Sequence, residues 1–84
     1  MSLHLVFSVQ GFYACQTVLD DKDHIVFIGD GVYAARDYQD DNFSVIAEDL
    51  KVRGLPAVKS GHGISYSQLV TLCTEHHPNL SWKG

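Results

Sequence analysis

Three short apolar runs recur along the chain: LHLVFS from Leu3 to Ser8, HIVFIG from His24 to Gly29, and FSVIA from Phe43 to Ala47. Runs that are apolar at consecutive positions suit strands buried on both faces, the condition of a parallel sheet. Parallel neighbours need a crossover between them, and a helix-like stretch follows each run. Gly11 opens the first, in which Phe12, Cys15, Val18 and Leu19 recur at helical spacing. Asp30 is the expected cap of a second helix holding Tyr33, Ala34 and Ala35. EDLKVRGL reads as one or two helical turns closed by Gly54.

Beyond it, PAVKSGHG reads as loop with room for a short strand at Ala57 to Lys59, and Ile64 as a brief extended stretch. Ser67 is the expected cap of the last helix, Leu69, Val70, Leu72 and Cys73 its apolar stripe, Pro78 its stop, and Trp82 a late apolar anchor. Strand and helix alternate throughout. The expectation is one small α/β domain over residues 1–84, a mostly parallel sheet flanked by helices.

A chain of 84 residues buries only about 60% of its unfolded surface, so it is expected to lean on a partner. Six Lys plus Arg against ten Asp plus Glu leave it at −4, without the basic stripe that grips phosphates. Lys51, Arg53 and Lys59 read as a solvated face. No apolar run approaches the roughly 18 residues of a membrane span, and Met1 to Gln10 lacks the pattern of a signal peptide. The expected location is the cytoplasm, with Cys15 and Cys73 reduced and no membrane contact.

Cys15 follows the first strand closely, near the carboxyl edge where parallel sheets present their ligands. A thiol in the first turn of a helix has its thiolate favoured by the dipole; the alternative is a small hydrophobe packed on the sheet. Asp30 and Gly31, within Gly29 to Gly31, form a weaker candidate, since glycines at a strand-to-helix junction admit an anion. The segment lacks the dinucleotide fingerprint and the P-loop ending. His76 and His77, adjacent on a helix, point about 100° apart and do not converge on one metal. Cys73 reads as core. No metal, cofactor or Ser-His-acid constellation is expected.

LHLVFS, GDGVYAA, AEDLKVRGL, ISYSQLVTL and the terminal SW, in that order over almost the whole chain, resemble the DsrH/TusB family of sulfur-relay proteins. The resemblance implies the DsrE/DsrF/DsrH fold, a three-layer α/β sandwich. It implies an accessory subunit, not catalytic alone, beside TusC/DsrF-like and TusD/DsrE-like subunits in a dimer of heterotrimers. In the TusBCD branch such a complex takes persulfide sulfur from a TusA-like donor towards a TusE-like acceptor. The end product is 2-thiouridine at the wobble position of tRNA, which this subunit meets only indirectly. In the DsrEFH branch it serves sulfur oxidation. The principal carrier cysteine lies on the TusD/DsrE subunit in both. Cys15 falls where DsrH proteins of sulfur oxidisers carry a cysteine, which leaves a secondary persulfide carrier and a packed residue both open. Trp82 is expected at or near a subunit contact. The alternative outside this family is a freestanding thiol carrier using Cys15 alone.

Overall fold

Each apolar run forms a four-residue strand, β1 (Leu3–Val6), β2 (His24–Phe27) and β3 (Phe43–Ile46), and all three pair in parallel. The structure, a computed structural model, describes residues 2–38, 40–58 and 61–84. Between the strands lie α1 (Val9–Gln16), a 3-10 turn (Gly29–Gly31) running into α2 (Val32–Ala35), and α3 (Ala47–Val52). A two-residue strand β4 (Gly63–Ile64), helix α4 (Tyr66–Glu75) and a fifth strand β5 (Asn79–Trp82) complete the chain. The sheet order is β4-β3-β2-β1-β5, parallel at every pairing.

That order sets the layers. The steps from β1 to β4 all move one way across the sheet, so right-handed crossovers place α1, α2 and α3 on one face. Val6, Ile25, Phe27 and Val45 meet Phe12, Cys15, Val32 and Leu50 there. The return from β4 to β5 runs the other way and puts α4 on the opposite face, where Leu69, Leu72 and Cys73 pack on Leu3, Val26, Ile28 and Ile46. The result is a single-domain α/β fold of three layers.

Local chemistry places the boundaries. Ser8 caps α1 by accepting from the Gly11 N–H at 2.9 Å, so the helix begins at Val9, two residues before the expected Gly11. Cys15 consequently lies in the last turn of α1, away from the positive end of its dipole. The cap of α4 is Ser65, which forms a capping box with Gln68, rather than Ser67. Val70, expected in the buried stripe of α4, is 62% exposed. The helix ends at Glu75 with His76 already extended, so Pro78 comes after the stop rather than making it. The last segment is a strand: NLSW pairs with β1, because the edge of β1 away from β2 offers backbone groups that only a strand satisfies. Ala57 and Val58 form no strand, and Lys59 lies outside the described residues.

Geometry requires glycine at Gly54 and Gly31, among other positions. Gly54, at φ +66°, closes α3 in a Schellman turn: Leu55 N–H donates to the Leu50 carbonyl and Gly54 N–H to that of Lys51. Gly31 packs so close to the end of β1 that a Cβ there would collide with the Val6 carbonyl oxygen. The glycine after Asp30 thus admits the protein's own backbone.

Candidate functional site

At the carboxyl edge of the sheet the ends of β2, β3 and β4 meet on one carboxylate. Asp49, in the first turn of α3, accepts through Oδ2 from the Gly29 N–H at 2.8 Å and from the Tyr66 hydroxyl at 2.7 Å. One turn later Arg53 reaches back, donating from Nε and Nη2 to Asp30 Oδ1 at 3.1 and 2.8 Å and from Nη1 to the Asp49 carbonyl. The i, i+4 spacing of Asp49 and Arg53 puts both on one side of α3. Asp30, expected as a helix cap, makes no cap bond; its exposed carboxylate holds Arg53 instead. Hydrogen bonding to Asp49, then burial, raises the Tyr66 pKa. The Asp30 bond raises that of Arg53, which stays cationic.

Asp30, with Gly29 beside it, therefore belongs to a mutually satisfied cluster with Asp49, Arg53 and Tyr66, whereas Gly31 packs on the Val6 carbonyl outside it. Chemically the cluster fixes three loops in one arrangement and presents Asp30 and Tyr66 to solvent. It leaves no nucleophile poised for attack.

Cys15 is elsewhere, under the α1 layer and towards the amino edge. It is fully buried, and burial, with the Asp23 charge behind it, pushes the thiol up to about 11. At neutral pH such a thiol is ionised in only about one molecule in ten thousand, against the few per cent of an unperturbed cysteine. Cys73 is half-buried on α4, against the other face. Among the described residues no three His, Cys, Asp or Glu side chains converge as metal ligands do.

Trp82 is joined to a network that the sequence did not reveal. Its indole N–H donates to His4 Nδ1 at 3.0 Å, and His4 Nε2 lies 2.8 Å from Asp23 Oδ2. An indole nitrogen only donates, so Nδ1 accepts and Nε2 carries the ring proton towards Asp23. Burial alone would raise the Asp23 pKa; the bond from His4 and the backbone N–H groups of Ser2 and Asp20 outweigh it and hold the carboxyl below the usual range. The signal was the histidine inside LHLVFS, since a polar side chain in a doubly buried strand must find partners. His4 is 1% exposed.

A second polar pair lies on the α4 face, where His24 Nε2 meets Ser44 Oγ at 2.9 Å and the His24 ring stacks on His76, 6.3 Å between centroids. Burial first, then His76 and His62, lower the His24 pKa. A histidine depressed by folding binds its proton more readily in the unfolded chain, so its contribution is full above about pH 6.5 and is lost as pH falls through the folded pKa. Thermal unfolding followed from pH 7.5 to 5 should show a falling midpoint, and His24→Gln should flatten that slope.

The Asp49 cluster makes its own prediction. Tyr66→Phe removes one bond and should cost about 1 kcal/mol, whereas Asp49→Ala also orphans the Gly29 N–H and should cost about 1–3 kcal/mol. Measured by urea unfolding, the double variant should lose less than the sum of the two by at least about 0.5 kcal/mol.

No curated protein sequence matches the chain. No helix among the described residues is long and apolar enough to cross a membrane. The family model of DsrH-like proteins matches residues 6–79, a span that includes GDGVYAA and AEDLKVRGL and all three elements that meet on Asp49. The chain belongs to the DsrH-like protein family, a family of sulfur relay whose members work beside DsrE- and DsrF-like subunits.

Proposed function

We propose that this protein is an accessory subunit of a cytoplasmic sulfur-relay complex of the TusBCD type, holding TusC- and TusD-like subunits in place while persulfide sulfur moves from a TusA-like donor to a TusE-like acceptor for 2-thiouridine formation in tRNA. The observation that carries the accessory role is the state of Cys15. Persulfide transfer requires a thiolate that attacks the incoming sulfur and a product exposed enough to be attacked in turn. Cys15 is fully buried and its thiol is held protonated, which supports packing and leaves the relay to a sister subunit. The freestanding thiol carrier loses its support on the same ground.

The net charge of −4 supports indirect contact with tRNA, through a partner that supplies the basic surface. The fixed cluster of Asp30, Asp49, Arg53 and Tyr66 suits a rigid docking edge, since side chains already immobilised lose less entropy on association. A DsrEFH-like subunit in sulfur oxidation is the second reading, and the cysteine at position 15, which the sulfur-oxidiser branch shares, favours it.

The test is a host lacking this gene, complemented with wild type or Cys15→Ala and assayed by mass spectrometry of tRNA nucleosides. The expected outcome is loss of 2-thiouridine in the deletion and its full return with both forms, Cys15→Ala costing stability alone, about 1 kcal/mol for the small cavity. Return with wild type but not with a folded, assembled Cys15→Ala would make Cys15 a carrier. Unchanged 2-thiouridine in the deletion, with impaired sulfur oxidation, would move the protein to the other branch.

A further inference from the structure

The two polar networks built on the strands differ in what covers them. The chain from Trp82 through His4 to Asp23 is sealed, with His4 1% exposed. His24, the first residue of β2, and Ser44 in β3 alternate in step with Val26 and Ile46, so both project from the α4 face. Helix α4 closes that face incompletely, since none of its ten residues is buried. Between the helix and the strands an open cleft of about 300 Å³ leads down to His24 and Ser44, walled by Ile64, Gln68, Thr71 and Leu72.

The pair at the floor of the cleft has the parts of a nucleophile and its base. Ser44 Oγ lies 2.9 Å from His24 Nε2. The His76 ring lies against that of His24, 6.3 Å between centroids and 13° from parallel, and fixes the plane of the imidazole. Burial, then the neighbouring His76 and His62, favour the neutral ring, whose Nε2 accepts from the hydroxyl when Nδ1 holds the ring proton. Gln68 is oriented as well: its side-chain oxygen takes the Ser65 N–H at 2.8 Å, which leaves its amide nitrogen as the donor for the cleft.

We propose that Ser44 and His24 form a nucleophile and base dyad that hydrolyses short, uncharged acyl groups held as esters or thioesters. The side chains that wall the cleft are uncharged, and Ile64 and Leu72 supply apolar contact for the acyl chain, while Gln68 and the dyad give the few polar groups that orient it.

Ser44 Oγ bonds to the carbonyl carbon as its proton passes to His24 Nε2, and the carbonyl pair moves onto oxygen, where the Gln68 amide donates to it. The oxyanion then collapses: the C–O or C–S bond breaks, and the leaving alkoxide or thiolate takes the proton from Nε2. Water next gives a proton to Nε2 while its oxygen adds to the acyl-serine, and Ser44 departs with that proton, releasing the carboxylic acid. This activity goes beyond the sulfur-relay reading, since it uses neither Cys15 nor a persulfide.

The full chain, treated with a short alkyl fluorophosphonate, should gain one phosphonyl group that tandem mass spectrometry maps to Ser44. With p-nitrophenyl acetate it should release nitrophenol, an activity that Ser44→Ala loses. His24→Gln should slow the labelling at least about a hundredfold. Gln68→Glu keeps an oxygen for the Ser65 N–H but removes the donor, and should slow nitrophenol release about a hundredfold with the fold intact by circular dichroism. Ser44 left unlabelled in the folded wild-type chain would overturn the proposal, a result that does not depend on the folding of any variant. Hydrolysis unchanged in Ser44→Ala, or labelling of Ser44 at full rate in His24→Gln, would also overturn it and make the pair a structural contact of the sheet. None of these results bears on the 2-thiouridine assay, so the relay reading stands or falls separately.

Discussion

The Asp49 carboxylate is the point on which three consecutive strands are fixed at their carboxyl ends. It takes the Gly29 N–H that follows β2 and the Tyr66 hydroxyl that follows β4, while its own helix follows β3. Four-residue strands have few ladder bonds with which to set their register, so loops tied to a common acceptor supply what the strands lack. Arg53 extends the tie to Asp30, and Gly31 lets that turn rest on the Val6 carbonyl. The segments of this chain that resemble the family thus have a physical reading: GDG, EDL with the arginine that follows it, and the tyrosine after β4 are the parts of one hydrogen-bonded assembly.

The other end of the sheet is closed by a different device. The first and last strands are neighbours, and the Trp82 indole, the His4 ring and the Asp23 carboxylate run as one chain of hydrogen bonds between them. A half-satisfied network in that core would cost more than an apolar one. Here every buried side-chain nitrogen and oxygen among the described residues has a partner. Trp82, with its ring turned inward against His4 at 6.1 Å between centroids, spends its polar group inside the fold; any contact it makes with a subunit is through what remains exposed.

The parallel sheet, its first three strands and the closure of α3 at Gly54 were legible because each rests on local composition: consecutive apolar residues, and a glycine where a left-handed turn is needed. Strand β5 was not, since NLSW has no strand periodicity of its own and is extended only because β1 offers it an edge. The cap at Ser65 was missed for a neighbouring serine, although Gln68 three residues on was the discriminating signal. For the candidate site, Asp30 and Gly31 were found but their use was not: Asp30 pairs with Arg53, 23 residues away, and the neighbouring Gly29 with Asp49, 20 residues away, pairings that only the topology makes. Cys15 was placed on the right helix and at its wrong end, because a cap at Ser8 moves the start of α1 by two residues. That shift, with an end at Gln16 short of Val18 and Leu19, takes the thiol from the favourable end of a dipole to the packed end of a helix.

On the proposed reading, this chain is a member of the relay that does not itself carry sulfur. The most direct measurement is native mass spectrometry of the assembly captured from its own host and charged with persulfide by its donor, with each subunit's mass read after gentle dissociation. The account predicts this chain at its unmodified mass, together with two sister subunits of which one bears the added sulfur. Added sulfur on this chain, mapped to Cys15, would contradict it, and so would a charged relay from which this chain is absent.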